Sequence, residues 1–524
     1  MSAATVVSFS PNGITDRLIL VQAGISGSDG GLAVAGPDGS LQHEMRDRVY
    51  AGITNSGLSF PCRRVTVAIT PPGPWQPHSG IDLAVAAAIL IASGEMPAAP
   101  FQDAVVVGEV GLDGAVRPVP ETLSVVASAA ELGHRTVVVP ASNAHAAMLV
   151  PGMQVIAVSS VRGLVDWAIT GEQPPLPQAD PPSTGELAIL PDLAQLPAEM
   201  EAARFSLEVA AAGGHHLTVT APPGAPDLVV AQCLPSLLPD LDEQAAVQVS
   251  ALHAAAGRKI AELIRRPPLQ QPHHTSSMAS VIGGRRPGAV TLAHRGVLLL
   301  ADAPEFESRI LQSLRQPLDL GIIQLARARG VVTYPARFQL VLTTRICPCP
   351  TSHPADACST SKRRAYRNRL GTVADRIDIA LTLDDATPAG ATPGESSATL
   401  AARVTEARAI AVQRWAADGY HANADIPIAR LQHRPFCLPP PVTGPVTRLL
   451  DTGAVSVRGH GQILRLAWTV SDLRGMDRPD RDAVTTAADL HLGRRAHRTS
   501  DGDRGLLTPQ AVRDAGAPPP DDPR

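Results

Sequence analysis

Three apolar runs in the middle of the chain constrain the fold more than any other feature: HHLTVTAPPG (215–224), GVLLLADAPEF (296–306) and RFQLVLTTR (337–345). Each is followed by a loop and then by a helical pattern. A strand that must return to a parallel neighbour needs about a helix's length of chain to do so, so this repetition implies a parallel α/β domain of the nucleotide-binding type. We assign it residues 187–390.

Residues 1–172 repeat the theme, with β-rich runs (RRVTVAIT, DAVVVGEV, RTVVVP) alternating with Ala-rich helical stretches (IDLAVAAAILIAS, SVVASAAELG). That alternation predicts a first α/β domain. Between the two, GEQPPLPQADPPSTGE is dense in proline and acid and has no apolar period, so residues 173–186 are expected to be an exposed linker. After a second loop, DDATPAGATPGESS, the runs AARVTEARAIAVQRWA and GQILRLAWTVSDLRG have helical periodicity without a β signal. Residues 395–495 should therefore form a small helical lid, and the polar, Pro-rich residues 496–524 a disordered tail. Two or three packed domains suit a chain of 524 residues with 44% hydrophobic content.

With a formal net charge of -4, no global field recruits nucleic acid or an anionic membrane. The longest apolar run, Ile81 to Ser93, contains Asp82 and is too short to span a bilayer, and no basic stretch with an apolar core opens the chain. The expectation is a cytoplasmic protein without membrane contact. Its six cysteines are too few and too unevenly placed for a disulfide framework, so reduced thiols are expected.

The stretch PHSGIDLAVAAAILIASGEMP, followed by VVVGEVGLDGAVRPV, resembles the Lon-protease-like N-terminal domain of the YifB/ComM proteins, a magnesium-chelatase-type AAA+ family. A Lon-type peptidase needs a serine activated by a buried lysine. In this chain the resemblance puts Gly80 at the serine position, with Ser79 one place early, and Arg117 at the lysine position. Arginine cannot give up its proton near neutral pH, so a binding or assembly domain is expected rather than a peptidase, with Ser79 a turn residue or helix cap.

The resemblance extends over roughly residues 1–495 and includes the segment that carries the family's P-loop. There the family pattern GPPGxGKT, whose amides and lysine cradle phosphate and whose hydroxyl holds Mg²⁺, is replaced by Ala221-Pro222-Pro223-Gly224-Ala225-Pro226-Asp227-Leu228. Pro226 removes an amide donor, Asp227 stands at the lysine and Leu228 at the hydroxyl. In AHRGVLLLADAPEF the resemblance sets Ala301 at the magnesium-organising Asp and Asp302 at the catalytic Glu, and in RFQLVLTTR it sets Arg345 at the polar sensor. ATP and Mg²⁺ are thus implied by resemblance alone, while the residues oppose them. Two basic family positions persist: Arg376, matching the arginine that reaches a neighbouring subunit's γ-phosphate, and Arg465, matching the lid's sensor arginine. Structural ion pairing is the equal alternative for both.

Cys347, Cys349 and Cys358 fall where relatives resemble a four-cysteine cluster, with Thr360 at the fourth position and His353 a conceivable substitute. Buried thiols are the expectation here and zinc the alternative; Cys62, Cys233 and Cys437 are expected to be packing residues. SKRRAYRNR gathers five cations around Tyr366, with Arg285, Arg286, Arg327, Arg329 and Arg337 nearby in sequence. A solvated helix face is expected there, and DNA contact is the alternative suggested by the link between ComM-like relatives and branch migration. The His pairs 215/216 and 273/274 read as turn or core residues. Taken together, the sequence implies a pseudo-ATPase, a ring subunit or scaffold assembled alone or with a competent homologue. A weak ATP-dependent DNA remodeller is the alternative, and a Lon-like peptidase comes third.

Overall fold

The computed structural model describes residues 2–10, 17–27, 30–35, 39–71, 78–176, 190–284, 286–327, 330–349, 358–383 and 392–494. Most of the expected linker and all of the expected tail lie outside these residues, as do Arg285, Arg329 and His353.

The first unit contains β1 (Ser2–Ser10), β2 (Arg17–Ser26), β3 (Gly31–Ala35), β4 (Arg64–Thr70), β5 (Ala104–Val106), β6 (Glu109–Val110), β7 (Val116–Arg117), β8 (Thr136–Pro140) and β9 (Gln154–Val158). Seven of them form a mixed sheet in the order β3-β4-β2-β1-β5-β8-β9, while β6 and β7 make a separate two-stranded ribbon. The helix Asp82–Ser93 runs beneath this sheet. Its sequence, DLAVAAAILIAS, is apolar on every side, and ten of its twelve residues are buried. Gly94, left-handed at φ +84°, stops it.

The second unit is built on a parallel sheet of β10 (Leu217–Ala221), β11 (Leu269–Gln270), β12 (Val297–Leu300), β15 (Gln339–Arg345) and β16 (Ile379–Thr382), in the order β11-β12-β15-β10-β16. The three apolar runs of the sequence supply β10, β12 and β15. This is a mixed α/β architecture with parallel sheets, consistent with an AAA+ type domain. A hairpin of β13 (Ile322–Arg327) and β14 (Gly330–Pro335) projects between β12 and β15 in sequence.

The helix Glu243–Ala255 joins the two units. Val247 and Ala251 enter the core of the first, beside Leu123, Val126 and Val150. Leu252 enters the core of the second, beside Val290 and Leu298.

Residues 397–492 form helices: Ser397–Trp415, Ile428–Leu431, Pro440–Asp451, Val457–Leu473 and Arg481–Leu492. They share one apolar cluster with helix Glu201–Gly213 and one side of the parallel sheet, and the largest buried side chains in that cluster are Trp415 and Trp468. At its centre Asp472 is fully enclosed, accepting two bonds from the Arg414 guanidinium and one of 2.8 Å from Asn423 Nδ2. Trp415 Nε1 donates to Asn423 Oδ1 at 2.8 Å, and Arg414 lies 4.6 Å from the centre of the Trp468 ring. No helix among the described residues is long and apolar enough to cross a membrane.

Candidate nucleotide site

In an open parallel sheet, ligands bind beyond the carboxyl ends of the strands, where the connections diverge. Here that edge carries three of the sequence-derived positions together. Parallel register pairs Ala221, the last residue of β10, with Arg345, the last of β15, and pairs Leu300 of β12 with Leu342 of β15. The loop Pro222–Pro226, Asp302 and Arg345 therefore share one rim.

The loop offers little to a phosphate. Pro226 has no amide hydrogen where the family pattern has a glycine, Ala225 donates to Pro222 O at 3.2 Å and Asp227 to Ala225 O at 3.0 Å. Gly224 takes the left-handed conformation at φ +91°, which keeps the turn open to a glycine and strained for other residues. The helix that follows, Asp227–Gln232, is only six residues long. Burial pushes the Asp227 carboxyl above its ordinary value and the charge on Asp302 adds to that, against hydrogen bonds from Thr343 and the Leu228 amide. Leu228 is a half-buried apolar residue packed against the core cluster.

Asp302 sits in the left-handed region at φ +48°, and its amide donates to Thr343 Oγ at 3.1 Å. Its carboxylate pairs with Arg345 Nε at 3.2 Å. Thr343 and Arg345 meet these partners because alternate residues of a strand share a face. Thr343 thus anchors the Asp302 backbone, and Arg345 neutralises its carboxylate. Sequence reading identified Arg345 as a substitution and missed Thr343, whose only signal was its place two residues before Arg345. The Asp302–Arg345 pair is more than one-third exposed on both sides, so it adds at most about 1 kcal/mol. The residues present do not fit Mg·ATP: Asp227 puts negative charge where a cation is required, and Ala301 has no metal-binding oxygen.

The two retained arginines are elsewhere engaged. Arg376 is buried, with Nε 2.9 Å from Asp319 Oδ1 and Nη1 2.7 Å from Thr372 O. Asp319 also accepts from Arg458 at 3.3 Å, and these cations hold its carboxyl below the usual range. Arg465 donates to Ile426 O at 2.6 Å and is largely enclosed.

In the first unit a serine nucleophile has no room at position 80. A Cβ there would lie 2.8 Å from His78 Nδ1 and 2.9 Å from Val119 Cγ1. Ser79 is a turn residue, the first of Ser79–Ile81, and His78 caps that turn, with Nδ1 accepting from the Gly80 amide at 3.1 Å. Enclosure pushes the His78 pKa down to about 4, so its ring is neutral with the proton on Nε2. The Ser79 hydroxyl donates instead to Glu109, and Arg117 stands opposite Glu109 in the β6–β7 ribbon with its side chain exposed. No lysine completes the dyad among the described residues.

Cys347, Cys349 and Cys358 come together, with sulfur atoms all within 4.8 Å of one another. Thr360 begins the helix Thr360–Asn368, whose four cations, with Arg369 just beyond its end, flank the buried Tyr366. Of the cysteines expected to pack, Cys233 is buried, whereas Cys62 and Cys437 are exposed. His215 is a core histidine, with Nε2 2.8 Å from Thr469 Oγ.

Family models match almost the whole chain: "Subunit ChlI of Mg-chelatase" over residues 21–143, "Magnesium chelatase, subunit ChlI" over 192–390 and "Magnesium chelatase, subunit ChlI C-terminal" over 394–491. An uncharacterized protein of Mycobacterium tuberculosis is 40% identical over 502 residues, covering 93% of this chain and 98% of its own. YifB of Escherichia coli is 32% identical over 490 residues, covering 91% of this chain and 94% of its own. Competence protein ComM of Haemophilus influenzae is 28% identical over 493 residues, covering 91% and 94% respectively. From the sheet order, the three matched regions and relatives aligned nearly end to end, the chain belongs to the magnesium-chelatase subunit ChlI family, with YifB and ComM as relatives.

Proposed function

We propose that this chain is a non-hydrolysing member of its family, a ring subunit or scaffold that works beside a homologue with an intact ATP site. The observation that carries the reading is Asp227, a half-buried carboxylate at the rim where a phosphate-binding cation would be needed. In this reading the first unit is a Lon-like assembly domain without peptidase chemistry, and residues 395–495 are the lid.

Arg376 is the group such a subunit would lend to its neighbour. To do so it must exchange Asp319 for phosphate, a trade between two charge-assisted, bidentate partnerships. Mixed with a homologue that carries GKT and DE motifs, the wild-type chain is expected to raise that partner's ATP turnover, by up to the 10³- to 10⁵-fold range of arginine fingers. Arg376→Ala should abolish the stimulation while costing about 1.5–3 kcal/mol of stability, since it removes hydrogen bonds from a charged group. Melts run alongside separate the two effects. Stimulation unchanged by the mutation, or no association with any homologue, would overturn the proposal.

A second reading, a weak ATP-dependent DNA remodeller, rests on the cations Lys362, Arg363, Arg364 and Arg367 along the helix Thr360–Asn368 and on the likeness to ComM. It requires the chain's own turnover, abolished by Asp302→Ala. The pairing of Asp302 with Arg345 counts against it.

A further inference from the structure

We infer that Cys347, Cys349 and Cys358 form a three-thiolate site for a thiophilic divalent cation, and that the ion is zinc. This rests on the thiol geometry and is independent of how the nucleotide rim is read.

Cys347 and Cys349 follow the end of β15, two and four residues after Arg345, while Cys358 immediately precedes the cap of helix Thr360–Asn368. The sulfur atoms of Cys349 and Cys358 are 3.9 Å apart, and all three thiols are unpaired in disulfides. A disulfide requires about 2.05 Å. Four ligands placed tetrahedrally around zinc at about 2.3 Å have edges of about 3.8 Å, close to the 3.9 Å between Cys349 and Cys358, and the third sulfur lies within 4.8 Å of both. Hydrophobic packing does not explain the cluster, since Cys347 and Cys349 are only half-buried and Cys358 alone is in the interior.

Three soft donors select zinc over magnesium or calcium, and leave the fourth tetrahedral position to water or another donor. Three thiolates around a divalent ion carry a net charge of about -1. The positive N-terminal end of helix Thr360–Asn368, with Lys362, Arg363 and Arg364 in its first turns, stabilises that charge. The ion would clamp the end of β15, and with it Arg345, to the start of that helix. Closing a loop in this way removes conformational freedom from the unfolded chain.

The test uses the full-length chain, purified without a polyhistidine tag and under reducing conditions. Elemental analysis and native mass spectrometry are expected to find about one zinc per chain. The ion should be lost from Cys347→Ser/Cys349→Ser/Cys358→Ser and kept by Cys62→Ser/Cys437→Ser, whose residues are exposed and distant in sequence. Cys358→Ser alone should weaken zinc by more than the 10- to 100-fold that losing an outer-shell partner costs. Alkylation of the wild type supplies a second readout that does not depend on the triple variant folding. Cys62 and Cys437 should react with or without zinc, and Cys347, Cys349 and Cys358 only after a chelator removes it. A reduced chain that takes up no zinc, zinc that survives the triple substitution, a Cys349–Cys358 disulfide in fresh protein, or thiols whose reactivity ignores the chelator would each overturn the assignment.

Discussion

Calorimetric titration of ATP·Mg²⁺ into the purified chain is expected to show no saturable binding below millimolar nucleotide. A unit charge pair 4 Å apart at an effective dielectric of about 20 is worth about 4 kcal/mol, so exchanging a lysine for an aspartate beside a phosphate shifts the balance by about 8 kcal/mol before screening. Asp227 is half-buried, so part of this is lost to solvent. Half of it suffices, because the step from micromolar to millimolar affinity is about 4.1 kcal/mol. The missing amide of Pro226 and the methyl group of Ala301 act in the same direction. Asp227→Lys alone should restore little, since the new ammonium would face the Asp302 carboxylate and Ala301 would still hold no magnesium. Micromolar binding by the wild type would end the non-hydrolysing reading.

The largest loss of stability is expected from Asp472→Ala. Asp472 is 3% exposed, and Arg414, Asn423, Trp415 and Trp468 are arranged around it. Removing one member of a buried ion pair leaves the other charge unsolvated, at a cost of about 3–5 kcal/mol. The melting temperature should fall by roughly 10 °C in a domain of this size. Arg414→Ala should cost a similar amount, whereas Arg414→Met/Asp472→Leu should cost less than either single change because no charge is stranded. A single-variant loss below 1 kcal/mol, comparable to an exposed pair, would show that solvent reaches this network.

How much of this was legible in the sequence depended on whether a feature is local. The strands β10, β12 and β15 and the helix Asp82–Ser93 declared themselves through continuous apolar runs, because burial on both faces leaves no alternation to misread. Helix Pro440–Asp451 was missed: PPVTGPVTRLLD has the punctuation of a loop, yet its leading prolines occupy a first turn where no amide partner is needed, and Pro445 is tolerated inside. The nucleotide rim was legible as a set of substitutions but not as an arrangement. Thr343 pairs with Val219 and Arg345 with Ala221 across a parallel ladder, and only the sheet order reveals that Asp302 meets both Thr343 and Arg345 at the end of β15. Arg376 and Asp319 are 57 residues apart, so their pairing was equally invisible. The cysteines were legible by type, but their spacing left packing and metal binding both open until the strand end and the helix start were brought together.

The helix Glu243–Ala255 gives the molecule a cooperativity that its chain order conceals. The Pro-rich stretch divides the sequence into two units, each able to be outlined by its own strands, and suggests two independent melting events. By lending Val247 and Ala251 to one core and Leu252 to the other, this helix makes each unit part of the other's folded state. Loosening the seam exposes apolar side chains of both units at once, so heat or denaturant meets a single thermodynamic body over this region, and its boundary lies elsewhere than the boundary written in the chain.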